Sequence, residues 1–408
     1  MRIAIIGAGI VGAAVAFRLA QAGHAITMFE PAPAGRPASY GNAGHVGTAS
    51  ILPWASSANL SSAFSCHRDP RHPLVLHPSD LLRQPRWVAR FLGACGRARH
   101  DSGVRALAGI LANADDALSR LMTQAGCARL RETEGLLHVY LSEETRQGAE
   151  PGLALRRAHG IPCHRLSAAQ LFDLEPELVA RDRRGMVRGA TLFPGVSQIV
   201  SPHRLVEAFR AASGVQPVAA AVSKIEIEGE RLRVRTPGET HVFDGVVIAA
   251  GRDGARLAAP HGARVPVIAE RGYHRQYDAA ARFRRSALFV DMRVVASPTL
   301  DGLRLTTGAE FCRPHRKPDH ARMAPVFSRA VELLGQGAPP SDIWSGDRPS
   351  TPDSRPVLGP APRSRRIFLA YGHGHLGLTM SGITAEIAKA HFDGATPPTD
   401  LAPFRPDR

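Results

Sequence analysis

A chain of 408 residues, 44% hydrophobic and 21% charged, is long enough to bury a large core and to form about two domains. It has no run approaching the roughly 18 consecutive apolar residues of a membrane span. The formal net charge is +15, but the 51 basic residues include only three lysines, and the arginines are dispersed along the whole chain rather than gathered into one basic face. That dispersion argues against nucleic acid as a partner, while leaving a basic surface that suits acidic phospholipid headgroups at the inner face of the cell membrane. The lysines Lys224, Lys317 and Lys389 occupy no recognisable motif, which argues against Schiff-base chemistry. Cys66, Cys95, Cys127, Cys163 and Cys312 are odd in number, scattered and without a Cys-x-x-Cys pair, so neither a disulfide framework nor a metal site is expected.

The N-terminus reads as one complete βαβ opening. Arg2–Ile6 is a short apolar run of the kind that forms a buried parallel strand. Gly7-Ala8-Gly9-Ile10-Val11-Gly12 follows, then small and apolar residues at helical spacing over Ala13–Ala22, a stop at Gly23, and a second strand over His24–Phe29 ending at Glu30. The same segment superficially resembles a secretory signal, but the glycine spacing and the lack of a cleavage site assign it to the fold, and a cytoplasmic protein is expected. Pro31–Pro37 reads as a loop, and Ser39–Ser62 is too rich in Gly, Ser and Ala to predict regular structure.

Further along, Pro85–Leu130 has helical apolar spacing, and Gly135–Leu141 alternates as a strand does. Ser201-Pro202 marks a helix start, with Leu205–Ala212 as its body. Val222–Ile227 and Leu232–Arg235 read as paired strands and Phe243–Ala250 as a buried strand ending at Gly251. Arg264–Tyr277, Ala287–Val295 and Leu303–Thr307 read as strands of a second region, with a helix near Val326–Leu334. Ile367–Tyr371 is a strand, Gly372–Gly377 a glycine-rich turn and Leu378–Phe392 the last helix. The expected fold is α/β (α+β): a discontinuous Rossmann-type nucleotide-binding domain over 1–80, 190–260 and 340–408, and a substrate domain on a mainly antiparallel sheet over 81–189 and 261–339.

The three N-terminal glycines have separate tasks. Gly7 permits the tight turn, Gly9 lets the backbone approach a pyrophosphate, and Gly12 lets helix pack on strand. Phosphates then meet the positive helix end, where the N–H groups of Ile10 and Val11 point outward. Glu30 follows Gly12 by 18 residues, at the end of the second strand. A carboxylate there accepts hydrogen bonds from adenosine ribose hydroxyls and repels a 2′-phosphate, with Pro31 beside it. The fingerprint in this context specifies a dinucleotide without choosing NAD or FAD.

Later segments make that choice by resemblance. Ser39-Tyr40-Gly41-Asn42-Ala43-Gly44-His45 resembles the flavin-facing Ser-x-x-Asn-Ala-Gly loop of bacterial D-amino acid dehydrogenases. Gly346-Asp347-Arg348-Pro349-Ser350-Thr351-Pro352-Asp353 resembles their Gly-x-Arg-Pro-x-Thr-Pro-Asp, and Pro356-Val357-Leu358-Gly359 with Tyr371-Gly372-His373-Gly374-His375-Leu376-Gly377 extends the match. The whole chain therefore resembles the D-amino acid oxidase/dehydrogenase superfamily. Arg271-Gly272-Tyr273-His274 and Leu305–Phe311 are similar to its D-hydroxyproline dehydrogenase-like branch, whereas residues 60–190 match only in general character.

The resemblance implies FAD, with Ser39, Asn42, Ala43, Gly44 and His45 facing the flavin. It implies that Val222 meets the adenine through its backbone and that Ala250 and Gly251 pack near the pyrophosphate. The loop Gly372, His373, Gly374, His375, Leu376, Gly377, continuing into Leu378 and Thr379, then meets the pyrimidine side of the ring. Free N–H groups and the helix dipole there would stabilise negative charge on the reduced ring. Cys312, the cysteine nearest Arg348 in sequence, lies outside any attachment motif, so FAD is expected to be noncovalent.

An amino acid carries a carboxylate, which a guanidinium holds with two parallel hydrogen bonds. Arg348 is the candidate by its place in the motif, with Tyr273 as a second carboxylate ligand and His45 and His274 as pocket residues. The expected reaction is dehydrogenation of a small D-amino or cyclic imino acid, with hydride leaving Cα for flavin N5 and the amine uncharged, so that the pocket disfavours the ammonium form. The electron acceptor, whether quinone, electron-transfer protein or oxygen, is left open. A glycine- or sarcosine-oxidase-like enzyme is the alternative on the same scaffold. A noncatalytic flavoprotein subunit of a larger complex and an NAD-dependent dehydrogenase are the readings of other classes.

Overall fold

The computed structural model describes the chain apart from residues 32–36, 70, 182–184, 279–282, 314–315 and 336. Most of the Pro31–Pro37 loop thus lies outside the described residues. The first sheet has five strands in the order Val357–Ala361, Ser364–Tyr371, Gly245–Ile248, Arg2–Ile6 and Ala25–Phe29. All its pairings are parallel except the edge strand Val357–Ala361, which runs antiparallel to its neighbour. Strand Arg2–Ile6, paired on both sides, is buried from Ile3 onward, as an apolar run covered on both faces must be. Helices Ile10–Gln21, Ala114–Gln124, Pro202–Ser213 and Ser381–Phe392 share one core with one face of this sheet. A three-stranded antiparallel sheet (Lys224–Glu228, Arg231–Thr236, Glu239–Phe243) packs Ile225, Leu232, Val234 and Phe243 against the other face.

The second large sheet is mainly antiparallel. Its strands run Asp342–Ser350, Ile268–Tyr277, Gly302–Cys312, Val294–Thr299, Ser286–Phe289, Leu136–Tyr140, Gly189–Phe193 and His164–Leu166, with Leu74–Leu76 also paired to Gly302–Cys312. Helix His320–Leu333 buries Met323, Val326, Phe327 and Ala330 against Tyr273, Tyr277, Leu303 and Leu305 on one face. The mixed α/β class expected from the sequence is the one observed. Strand Asp342–Ser350, which carries Arg348, is an edge strand of this second sheet, although the expected boundary at 340 placed it with the nucleotide-binding region.

Several local expectations shift. Ser39–Ser62 contains a short strand, His45–Val46, and the first half of helix Ser57–Arg68, whose small polar residues carry no apolar stripe to reveal it. The helical stretch from Pro85 is three helices, Pro85–Ala94, Arg97–Leu111 and Ala114–Gln124. The span Ala287–Val295 is two strands, Ser286–Phe289 and Val294–Thr299, joined through Arg293 at φ 53°. The last helix begins at Ser381 rather than Leu378, behind a single 3₁₀ turn over Gly374–Leu376.

Candidate active site

The dinucleotide end is built by close contacts only glycine allows. Gly7 sits at φ 102°, and a Cβ there would lie 2.5 Å from the carbonyl oxygen of Ala249. A Cβ on Gly12 would lie 1.8 Å from the carbonyl oxygen of Gly7, so helix Ile10–Gln21 reaches its strand only because that atom is missing. In front of the helix the Ser39 hydroxyl accepts from Ile10 N–H at 3.0 Å, and Glu30 Oε2 accepts from Ala8 N–H at 2.5 Å. Arg210 closes the same turn by donating to the Ala8 carbonyl at 2.9 Å. Burial pushes the Glu30 carboxyl above its usual range, although the Ala8 N–H and Arg210 act the other way. Val222 belongs to the same apolar cluster as Ile6, Phe29 and Ala250, and Pro31 follows at the exposed strand end. Gly251 opens a 3₁₀ turn at φ 52°, with open space where its side chain would be.

These residues fit FAD. The helix end supplies backbone donors that have no partner within the helix. Gly9 keeps the approach free of a side chain, since a Cβ there would meet Ser39 Oγ at 3.2 Å. The open face of Gly251 lies beside Ala250, whose Cα already touches the Gly7 position.

The Ser39–His45 loop is held in place by strand Ser197–Ile199, which lies in a separate three-stranded sheet, and by residues of the second large sheet. Asn42 Oδ1 accepts from Gly44 N–H at 2.8 Å, a local turn that fixes Ala43 between them. Gln198 donates to Ala43 O at 2.9 Å, and Ile199 N–H donates to Gly44 O at 2.7 Å. His274 is fully buried, donates from Nδ1 to Gly41 O at 2.9 Å, and stacks on Trp344 at a centroid distance of 5.1 Å. Arg304 donates to Asn42 O at 3.1 Å. His274 thus braces the loop from beneath. His45 lies in the short strand paired with Gln198 and Ser197, and its buried Nε2 has no partner. Burial lowers His45 and His274 to about 4, with Arg304 adding to the effect at His274.

The two glycine-bearing ends meet. Gly47 N–H donates to the Thr379 hydroxyl at 2.9 Å, linking loop positions 332 residues apart. Ser350 forms a single antiparallel bridge to His373, which ties the Arg348 strand to the C-terminal loop. Gly372 takes φ 76°, and a Cβ there would press on Thr351 at 2.6 Å. His373 is buried against the Thr384 hydroxyl at 3.2 Å, and burial lowers it to about 4. Leu376 and Leu378 are buried in the first core, while Gly377 joins them.

Arg348 lies flat across strand Ile268–Tyr277. Its Nη1 donates to Gly308 O at 2.8 Å and stands 3.4 Å from Glu270 Oε1. Glu270, 1% exposed, also receives His375 Nε2 at 2.5 Å on Oε1 and the Ser350 hydroxyl at 2.6 Å on Oε2. Burial opposes its charge, yet His375, Arg348 and Ser350 outweigh burial and hold it at about 2. Glu270, Ser350 and His375 line a cavity of about 230 Å³ together with Leu376, Trp54, Trp87, Phe91 and Phe311; Arg348 is not part of its lining and is linked to it through Glu270.

Tyr273 is not brought to Arg348. Its hydroxyl bonds to Glu310 and accepts from Asp319 N–H at 3.1 Å, and its ring packs edge-on against His320. Side chains alternate along a strand, so Tyr273 faces helix His320–Leu333 while Glu270 and Gly272 face Arg348. Sequence reasoning missed Glu270 and the aromatic wall. The available signal was a carboxylate flanked by Ile268 and Ala269 in a strand expected to be buried, a combination that demands partners.

A dinucleotide cradle joined to a second, mainly antiparallel sheet fits the class of FAD-dependent oxidoreductases, and the comparisons with known proteins assign it to that class. The sequence pattern of the DAO family, FAD dependent oxidoreductases, matches residues 2–390, and the chain belongs to that family. It is 31% identical to the D-amino-acid oxidase of Bradyrhizobium diazoefficiens, covering 100% of this chain and 98% of that protein. It is 29% identical to a D-amino acid dehydrogenase of Cereibacter sphaeroides, over 98% and 94% of the two chains. Among solved structures, glycine oxidase from Geobacillus kaustophilus aligns with a TM-score of 0.74 at 24% identity, covering 100% and 99%. L-proline dehydrogenase from P. horikoshii aligns at 0.72 and 15%, covering 100% and 97%; these two establish the fold alone. No helix among the described residues is long and apolar enough to cross a membrane, and no cluster of metal-ligating side chains occurs among them.

Proposed function

We propose that the protein dehydrogenates small α-amino or cyclic imino acids of the D series, with Arg348 anchoring the substrate carboxylate. The observation that carries this reading is the Arg348 guanidinium, fixed through one donor to Gly308 O and 3.4 Å from Glu270, a residue that lines a cavity together with the C-terminal glycine loop and several aromatic side chains. A guanidinium so held loses little freedom on binding a carboxylate and presents its remaining donors in a fixed plane.

The chain's own groups have distinct tasks. Gly7, Gly9, Ile10, Val11 and Gly12 would receive the pyrophosphate, Glu30 the ribose, and Val222, Ala250 and Gly251 the adenosine side. The loops Ser39–His45 and Gly372–Thr379 would flank the ring from two sides, since the Gly47–Thr379 bond brings them together. FAD, bound noncovalently, supplies the two-electron acceptor for the hydride leaving the substrate Cα. Catalysis then depends on positioning: the carboxylate fixed at Arg348 leaves few orientations for the Cα–H bond. His274 acts as a support for the flavin-facing loop, and no role in substrate binding is assigned to Tyr273. The functional division follows the two sheets, with the boundary moved from 340 to about 350 so that Arg348 belongs to the substrate region.

The aromatic wall favours substrates with an apolar side chain over glycine, since glycine would leave that space unfilled. The deciding experiment is anaerobic addition of D-proline, hydroxy-D-proline, D-alanine, glycine and sarcosine to the yellow holoenzyme. Bleaching of the visible band by the D-amino or cyclic imino acids ahead of glycine and sarcosine is expected. Bleaching by glycine or sarcosine alone would move the enzyme to the oxidase-like alternative, and no bleaching by any of them removes the amino-acid reading. Reoxidation by oxygen, a quinone analogue or an artificial dye then identifies the acceptor class.

A further inference from the structure

Arg348 accounts for the carboxylate of an amino acid but leaves its amine without a partner. Strand pairing sets Glu270 directly opposite Arg348, the register at which side chains on one face of a sheet meet. Glu270 lies at the polar end of the aromatic-walled cavity, with Oε1 3.4 Å from Arg348 Nη1. A buried carboxylate that lines a cavity and is paired with a guanidinium behind it is an expensive arrangement for stability alone, because desolvation of two charges offsets their attraction. The geometry instead matches a ligand that carries both charges. An α-amino acid zwitterion bears an anion and a cation on the same carbon, in the reverse sense to the Arg348–Glu270 pair.

We propose that Glu270 is the anionic partner of the substrate's ammonium group, so that the zwitterion inserts its two charges into the Arg348–Glu270 pair. This rests on the amino-acid reading above. When the substrate carboxylate engages Arg348, Glu270 loses part of its cationic contact and regains it from the ammonium. The Ser350 hydroxyl on Oε2 and His375 on Oε1 hold the carboxylate still while this exchange occurs. Both supports are themselves placed by the fold: Trp87 Nε1 donates to Ser350 O at 2.9 Å, and His375 sits in the 3₁₀ turn that follows the Ser350–His373 bridge. The same neighbours keep Glu270 ionised despite its burial, which is what pairing with a cation requires. The expectation that the pocket disfavours the ammonium form is thereby reversed for the binding step.

The test uses ligands without a Cα–H bond, so that no turnover occurs. Binding of 2-aminoisobutyrate, 2-hydroxyisobutyrate and pivalate to oxidised holoenzyme is measured by calorimetry at neutral pH. The amino ligand is expected to bind about tenfold or more tightly than its hydroxyl isostere, the scale of one charge-assisted hydrogen bond. Glu270→Gln is expected to bring that ratio close to one with flavin content unchanged. Equal affinity of the amino and hydroxy ligands for the wild type overturns the assignment without any variant, and so does a ratio that survives in Glu270→Gln. If amino acids bleach the flavin under either of those outcomes, only the role of Glu270 falls. If no amino acid bleaches it and none of the three ligands binds, the amino-acid reading falls as well.

Discussion

The guanidinium of Arg348 occupies the space that a side chain on Gly272 would need. A Cβ at position 272 would lie 2.2 Å from Nη2 and 2.6 Å from Cζ of Arg348. The register places Gly272 opposite Gly346, two residues from the Glu270–Arg348 pair, so Arg348 crosses its partner strand diagonally. Gly272→Ala should therefore push the guanidinium off the strand while the glycine turn Gly7–Gly12, on the other sheet, stays intact. The expected result is a KM for the amino-acid substrate raised roughly 10- to 100-fold, the scale of one or two lost charged hydrogen bonds, with normal flavin content. Arg348→Ala should raise KM at least as far. Unchanged kinetics in both variants would remove Arg348 from the substrate site.

Gly12 tests the nucleotide half in the same way. Here the clash is with backbone, a Cβ lying 1.8 Å from Gly7 O, and backbone cannot swing aside as a side chain can. Gly12→Ala should separate helix Ile10–Gln21 from strand Arg2–Ile6 and lower stability by about 1–3 kcal/mol, the usual cost of overpacking. Flavin should be lost on desalting. The check is the ratio of visible to ultraviolet absorbance of the purified variant beside its melting temperature. A variant that keeps stoichiometric FAD would show that the fingerprint glycine is not needed for close approach.

Much of the nucleotide half was legible in the sequence because its requirements are local. Gly7, Gly12 and Glu30 sit at fixed spacing along one βαβ unit, and each spacing has a steric or electrostatic reason. The substrate half was harder to read because its partners are distant in sequence. Glu270 acquires meaning only through Arg348, Ser350 and His375, residues 78 to 105 positions away. Tyr273 was misplaced for a related reason: its motif gave the residue, but the face it uses depends on strand pairing that one sequence cannot fix. Strand Asp342–Ser350 was hidden by its own composition. Gly346 and Pro349 lower strand propensity, yet Pro349 is tolerated because the strand lies at a sheet edge, where a missing N–H need not break a ladder.

Two buried histidines should make the protein acid-sensitive. His274 and His373 are 0% and 4% exposed, and burial lowers both from 6.5 to about 4. In the folded state they are neutral down to that value, whereas in the unfolded chain they take up protons below 6.5. The stability they contribute is therefore complete above pH 6.5 and is lost as pH falls toward 4. Each should contribute about 2 kcal/mol to the loss between pH 6.5 and 5. Melting temperature followed over that interval should fall, and His274→Gln, which keeps a polar group near Gly41 but cannot titrate, should flatten the slope. A slope identical to that of the wild type would mean that His274 titrates normally in the fold.

The environment of Cys312 bears on how the flavin is held. A thiol that attaches to a flavin ring must reach it and must ionise. Cys312 is fully buried in strand Gly302–Cys312, paired with Ala269, and burial pushes its thiol up to about 12 against the opposing effect of Arg271. Cys95, Cys127 and Cys163 are likewise buried, and burial raises the first two above the ordinary thiol range. Neither access nor charge favours a thioether at these four positions. Acid denaturation should accordingly release all the yellow colour into the supernatant, and the intact mass of the denatured chain should equal that of the polypeptide alone. A mass increment equal to FAD would contradict this and would direct attention to Cys66, the one cysteine outside that group.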